Sequence, residues 1–361
     1  MHQFKPLTSL RLFLALWVLC RHWFHAYGAD GTFFDIGFTS TWFDHGYLGV
    51  DGFFVLSGFI LAYNYDPAPG KRIQWKRFIV ARIARIYPVY LACLLAFVLA
   101  AIARDLLLHT HNVGTGGYTA SNFLREMLML SAWRYAGGSG WNDVGWSVSA
   151  EWFAYVFFPL FLLAAPRLNR ARILLAGGMA LAALAAVEAT SPDHLSLSGG
   201  VARLVPEFLL GVLLCRLREA MPPRHEGFRA GGMLSLCVCL LGISLGVDVL
   251  FVAGAAGLVF CLSYNKDALT RVLSLRSLVF LGEVSYCIYI VQRIPQYMFE
   301  FARAKVAALA TLPGIVQAAL LLALTVGIAI LLHLAIEKPM RSYINRRIAG
   351  KARLVKTMAN T

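Results

Sequence analysis

Apolar residues in this chain run in long blocks separated by short polar connections, with no alternation of the kind a half-buried strand shows. A helix of about 17–25 mostly apolar residues crosses the ~30 Å hydrocarbon layer of a bilayer. Ten such blocks can be drawn: 7–27, 46–65, 78–104, 146–165, 172–189, 200–217, 231–247, 248–264, 278–300 and 314–337. The seventh and eighth abut so closely that their boundary is the least sharp. A shorter amphipathic stretch, Phe123 to Trp133, is predicted to lie on the membrane surface. The first block carries Arg11, continues through Arg21 and His22, and lacks a small-x-small cleavage site, so it reads as an uncleaved helix. The pattern therefore predicts an all-α, polytopic membrane protein with about ten transmembrane helices.

The connections alternate in charge. One set carries Lys71, Arg72, Lys76 and Arg77, then Arg167, Arg170 and Arg172, then Arg216, Arg218, Arg224 and Arg229, then Lys266, Arg271 and Arg276. The other includes 28–45 and 190–199, which hold Asp30, Asp35, Asp44 and Asp193 but no Lys or Arg; the long 105–145 connection has only Arg125 and Arg134. The positive-inside rule puts the first set and both termini in the cytoplasm, and an even number of spans requires the termini to share a side. Arg303 and Lys305 are a mild exception. One membrane domain is expected over 1–345, followed by a basic cytoplasmic tail, 346–361, lying along the anionic inner leaflet.

Composition agrees. Of 361 residues 59% are hydrophobic and only 14% charged, too few charges to cover a soluble surface. The net charge of +14 lies between the apolar blocks, not on one solvated face, which argues against a nucleic-acid partner. The seven cysteines are scattered inside apolar segments and read as small core residues; their spacing indicates no disulfide and no metal. No internal repeat is visible, which counts against a transporter built of inverted halves.

Ionisable side chains inside such blocks are expensive unless they face a cavity or a partner. Arg11 and His22 are eleven residues apart, about 20° from three full helical turns, so they share a face about 16 Å apart along the axis. Interfacial snorkelling is the bland reading; one polar cavity is the sharper one. Asp51, in "GYLGVDGFFVLSGF", and Glu151, in "WSVSAEWFAYVFFP", both fall near the outer ends of their blocks, at a depth expected to match His22. At the inner side Arg82 and Arg85, spaced i, i+3, suit two contacts to a diphosphate, although topology alone would also put arginines there. A phosphate-rich donor held inside and a histidine general base outside suit deprotonation of a hydroxyl as it attacks a thioester. Ser57, Ser147 and Ser149 could form an acyl-enzyme, but none lies in a nucleophile-elbow sequence.

These stretches resemble the acyltransferase 3 family of bacterial membrane acyltransferases from Ser9 to Arg341. The shared patterns are Arg11 and His22; Gly49 through Phe59; Arg82 and Arg85; Trp146 through Glu151; Leu281 through Tyr289; and Glu337 through Arg341. The resemblance implies acetyl-CoA or another acyl-CoA as co-substrate, entering from the cytoplasm, with no metal. It also implies a hydroxyl of a cell-surface or exported polysaccharide, or of its lipid-linked precursor, as acceptor. Arg11, His22, Asp51 and Glu151 become the expected catalytic residues, and Arg11, Arg82, Arg85, Tyr286 and Arg341 the expected donor-binding residues. Gln292 stands where many relatives have histidine, and Trp152 where many have a second acid. His25, His109, His111 and His194 are expected to be interfacial or solvated. The competing reading is a transporter or flippase of a lipid-linked saccharide.

Overall fold

The computed structural model describes residues 4–27, 37–67, 71, 73–109, 111–133, 140–191, 195, 200–221, 229–264, 268–344 and 346–347. Asp30, Asp35, Arg72, Arg134, Asp193, His194, Arg224, Lys266, the side chains of His25 and Arg229, and the basic tail from 348 onward lie outside the described residues.

Helices make up most of the described residues, and no strand is present among them. In chain order the elements are α1 (Lys5–Tyr27), α2 (Gly37–Asp44), α3 (Leu48–Tyr65), α4 (Trp75–Leu108), α5 (Ala120–Met127), α6 (Gly145–Val156), α7 (Phe158–Ala164) and α8 (Arg170–Ala189). They continue with α9 (Gly200–Ala220), α10 (Arg229–Leu245), α11 (Asp248–Leu262), α12 (Ala268–Val272), α13 (Arg276–Val291), α14 (Arg293–Lys305), α15 (Ala307–Ala310) and α16 (Gly314–Leu332). A π-helical turn, His333–Glu337, follows α16.

Every predicted apolar block is occupied by a helix, but two are broken. α6 and α7 meet at 65°, and α13 and α14 at 62°. Proline explains both breaks. Pro159 and Pro295 offer no N–H to the carbonyls of Tyr155 and Val291, and each ring crowds the preceding turn. Four helices, Thr41–Tyr65, Trp75–Leu107, Arg170–Ala189 and Gly314–Ile344, are long and apolar enough to cross a membrane, or six if each bent pair counts as one span. α10 and α11 are apolar but shorter, while α1 and α9 carry several charges each. The predicted surface stretch is helical only to Met127, after which turns lead to Trp133.

α3 sits at the centre: its spanning window is 78% buried, against 22–33% for α4, α8 and α16. Those outer helices show Leu99, Leu106, Leu174, Leu175 and Leu331 to their surroundings, the dress of a lipid-facing surface. Small residues bring the central backbones together, as membrane helices require. A Cβ on Gly58 would lie 2.1 Å from the Phe208 carbonyl oxygen, and one on Gly211 2.1 Å from that of Val55, so α3 and α9 touch backbone to backbone. Gly282 does the same for α13 against α1, facing the Thr8 carbonyl.

Candidate active site

The central helices enclose a cavity of about 50 Å³, walled by Arg11 of α1, Ser57 of α3, Ser147 and Glu151 of α6, and Tyr286 and Tyr289 of α13. At roughly 30 Å³ per water molecule it has room for one or two small groups. Ser57 donates a hydrogen bond to Glu151. Ser147 and Tyr289 share one of 2.6 Å, and the Tyr286 hydroxyl donates to the Ile86 carbonyl at 2.6 Å, tying α13 to α4.

Counting along blocks matched Glu151 in depth with His22; the structure pairs it with Arg11 instead, in the one cavity. α6 starts at Gly145, so Glu151 lies about 9 Å into the helix and not at its outer end. Ser57, its partner, lies about 9 Å along α3 from Asp51. The single cavity expected to join Arg11 and His22 is met at the Arg11 end; His22 lies about 16 Å further along α1.

His22 has its own setting at the break between α13 and α14. Its Nδ1 is 2.9 Å from Oε1 of Gln292, which is itself buried. The Gln292 amide nitrogen donates to the Tyr289 carbonyl at 2.9 Å, so the amide oxygen is the atom facing the imidazole. An amide oxygen only accepts. Nδ1 therefore carries the proton in the neutral ring, and Nε2 keeps its lone pair free. Gln292 thus fixes a tautomer, a role the sequence left open. Next to it Arg293 grips Asp143 at 2.6 and 3.0 Å and reaches Gln296 at 3.0 Å. Neither Arg293 nor Asp143 stood out in the sequence; one lies inside the block 278–300 and the other in a long connection.

Around the Arg11 end the cationic residues gather. Arg85 is in electrostatic reach of Arg11, Glu337 and Arg341. Arg82 differs from Arg85. Its guanidinium lies over the rings of Tyr65, Phe78 and Tyr155 at 5.1–6.0 Å and donates to the Tyr65 hydroxyl at 2.8 Å. Glu337 accepts from His333 across 2.8 Å on the π turn, and the Cys287 thiol lies 3.3 Å from the same carboxylate. These three buried groups are of metal-ligating type and lie within 4.8 Å of one another. The thiol and the imidazole already contact the carboxylate, and the nearby positive charge of Arg85 opposes a second cation there. Asp51 is fully buried on another side of α3, with Arg203 and Glu207 of α9, groups that the sequence reading passed over.

The segment beside His22 is held from below. Glu126 of α5 is buried and accepts from the backbone N–H groups of Trp141 (2.7 Å) and Asn142 (3.0 Å), while the Asn142 amide donates to the Ile290 carbonyl at 3.3 Å. Burial lifts the Glu126 carboxyl from 4.5 to about 7; the two backbone bonds oppose the shift and Asp143 adds to it. A raised folded value means that its contribution is full below about 4.5 and is lost as pH rises through about 7. The expected result is a thermal midpoint in detergent that falls between about pH 5.5 and pH 8.5, equivalent to about 1–3 kcal/mol, and a flat profile for Glu126→Gln. Equal slopes for the two proteins would remove Glu126 from this role.

A helical membrane core with an oriented imidazole, a small polar cavity and a cluster of arginines is equipped for group transfer to a hydroxyl. The chain belongs to the acyltransferase 3 family, whose model, described as an acyltransferase domain, matches residues 6–334, and it is an acyl-transferring enzyme. It is 27% identical to acyltransferase MdmB of Streptomyces mycarofaciens, over 94% of this chain and 92% of that protein. It is 28% identical to the exopolysaccharide production protein ExoZ of Rhizobium meliloti (strain 1021), over 91% and 98%. It is 27% identical to YrhL of Bacillus subtilis (strain 168), a candidate peptidoglycan O-acetyltransferase, over 80% of this chain and 48% of that protein. No solved structure matches.

Proposed function

We propose that this protein moves an acetyl group from cytoplasmic acetyl-CoA to a hydroxyl of a cell-surface or exported polysaccharide, or of its lipid-linked precursor, in the bacterial inner membrane. The observation that carries the reading is the polarity of α1: arginines and carboxylates surround Arg11, and an imidazole with a defined tautomer lies about 16 Å away on the same face. Ten spans with both termini cytoplasmic, as the charged connections require, put the Arg11 end towards the CoA pool. The names of ExoZ and YrhL support a glycan acceptor.

The free Nε2 of His22 takes the proton of the acceptor hydroxyl as its oxygen bonds to the thioester carbonyl. Nδ1–H stays on the Gln292 oxygen, which stabilises the imidazolium. As the C–S bond breaks, Nε2 returns the proton to the departing thiolate. Arg85, Arg341 and Arg11 hold the phosphates of the donor, and Tyr286 lines the way between. A flippase would have the helices but no use for an oriented base.

The test is transfer of labelled acetyl from acetyl-CoA to glycan by the purified protein in proteoliposomes, with mass spectrometry of surface glycans in cells with and without the gene. Glycans with identical acetylation in both would sink the proposal. Arg82 is enclosed by aromatic rings, so the donor contact is expected at Arg85. Arg85→Glu should raise the KM for acetyl-CoA at least about tenfold, the cost of one charge-assisted phosphate contact. An unchanged KM would move the donor site elsewhere.

A further inference from the structure

The least explained polar group in the molecule is the one around Asp51. Asp51 on α3 and Arg203 and Glu207 on α9 are each 0% exposed. Arg203 Nε lies 3.6 Å from Asp51 Oδ1, and its guanidinium stacks 4.8 Å over the ring of Trp146, the residue before Ser147 in the cavity wall. Among the described residues, neither carboxyl group receives a hydrogen bond from a fixed N–H or hydroxyl of another residue. The carboxyl groups of Asp51 and Glu207 instead act on each other, side chain to side chain. Two carboxylates that meet with no donor between them repel, and only a proton turns that contact into a bond.

The surroundings, among the described residues, supply no other remedy. Asp248 at the start of α11 is held by the Tyr47 hydroxyl (2.9 Å) and the Leu195 N–H (2.8 Å). Glu188 at the end of α8 is held by the N–H groups of Asp248 (2.9 Å) and Val249 (3.0 Å). Both acids have their own donors; Glu188 adds negative potential at Asp51, and Asp248 adds it at Glu207. On the cationic side, Arg21 of α1 is within electrostatic reach of Arg203 but donates to the Asp44 carbonyl. Tyr289 of α13, also in reach, is bonded to Ser147. With both carboxyls ionised and one guanidinium, the group would hold an unbalanced negative charge in an apolar core, which costs several kcal/mol.

We propose that Asp51, Arg203 and Glu207 form a proton-binding triad, in which the two carboxyls share one proton and the remaining negative charge balances Arg203. The triad is net neutral, closes α3 on α9 above the Gly58–Gly211 contact, and seats Trp146 through the guanidinium stack. Asp51 is then a charge-balancing residue and makes no contact with the reacting atoms. This inference does not depend on the acyl-transfer reading.

The test uses the full chain in detergent or lipid. Infrared difference spectra of wild type minus Asp51→Asn, and of wild type minus Glu207→Gln, should each show the C=O band of a protonated carboxylic acid, shifted in heavy water. Each single variant keeps one carboxylate opposite Arg203, so its folded yield should stay within about twofold of wild type. The double variant D51N/E207Q strands the guanidinium and should lose at least about tenfold in folded yield, and adding Arg203→Met should restore it. A missing band, a double variant that folds like the singles, or singles that both fail to fold would each overturn the triad.

Discussion

Replacing His22 by alanine is expected to lower kcat for acyl transfer by about 10²–10⁴-fold, the usual contribution of a positioned general base, without lowering the amount of folded protein. The basis is a hydrogen-bond chain that leaves one nitrogen free. Gln292 gives its amide hydrogens to the Tyr289 carbonyl and turns its oxygen to Nδ1, so Nε2 is the available lone pair. Alanine removes that base and leaves the buried Gln292 oxygen without its donor, a cost borne by one local hydrogen bond. The measurement is single-turnover transfer of labelled acetyl to the acceptor, beside helical content and yield from the same preparation. Full activity in His22→Ala would remove the base from this position.

The second large effect is expected at Arg11. Among the described residues it is the only cation lining the cavity, where it faces Glu151, and it lies within reach of Glu337 and Arg85. Arg11→Ala is expected to cost about 10²–10³ in kcat/KM, the scale of losing a preorganised electrostatic contact in a water-poor site. Lysine should recover little, because a compact ammonium does not reproduce the planar fork of a guanidinium. Arg11 and Glu151 share one cavity, so the double variant with Glu151→Gln should be about as impaired as Arg11→Ala alone. Additive losses would show that the two residues act apart.

Much of this was legible along the chain. Block lengths foretold the helices, and the Arg11–His22 spacing gave a shared face, because helical periodicity is a local property. Arg85 and Glu337 were visible as charges at the ends of spans. Asp51 was visible too, but its surroundings were not. Arg203 and Glu207 lie inside the apolar block 200–217, and nothing local in the sequence tells which helix they meet. What Asp51 does depends on which face of α9 it meets, and that follows from the Gly58–Gly211 approach.

The same division holds for the whole molecule. Apolar blocks, charged connections and the motif residues are set by composition over neighbouring positions, so the sequence alone determined a helical membrane enzyme of the acyltransferase 3 family. Depth and partnership depend on where helices break and which backbones touch. Glu151 meets Arg11 and Gln292 meets His22 through the packing of α6 and α13 on α1 and α3, and no count of residues along straight spans could have placed either pair.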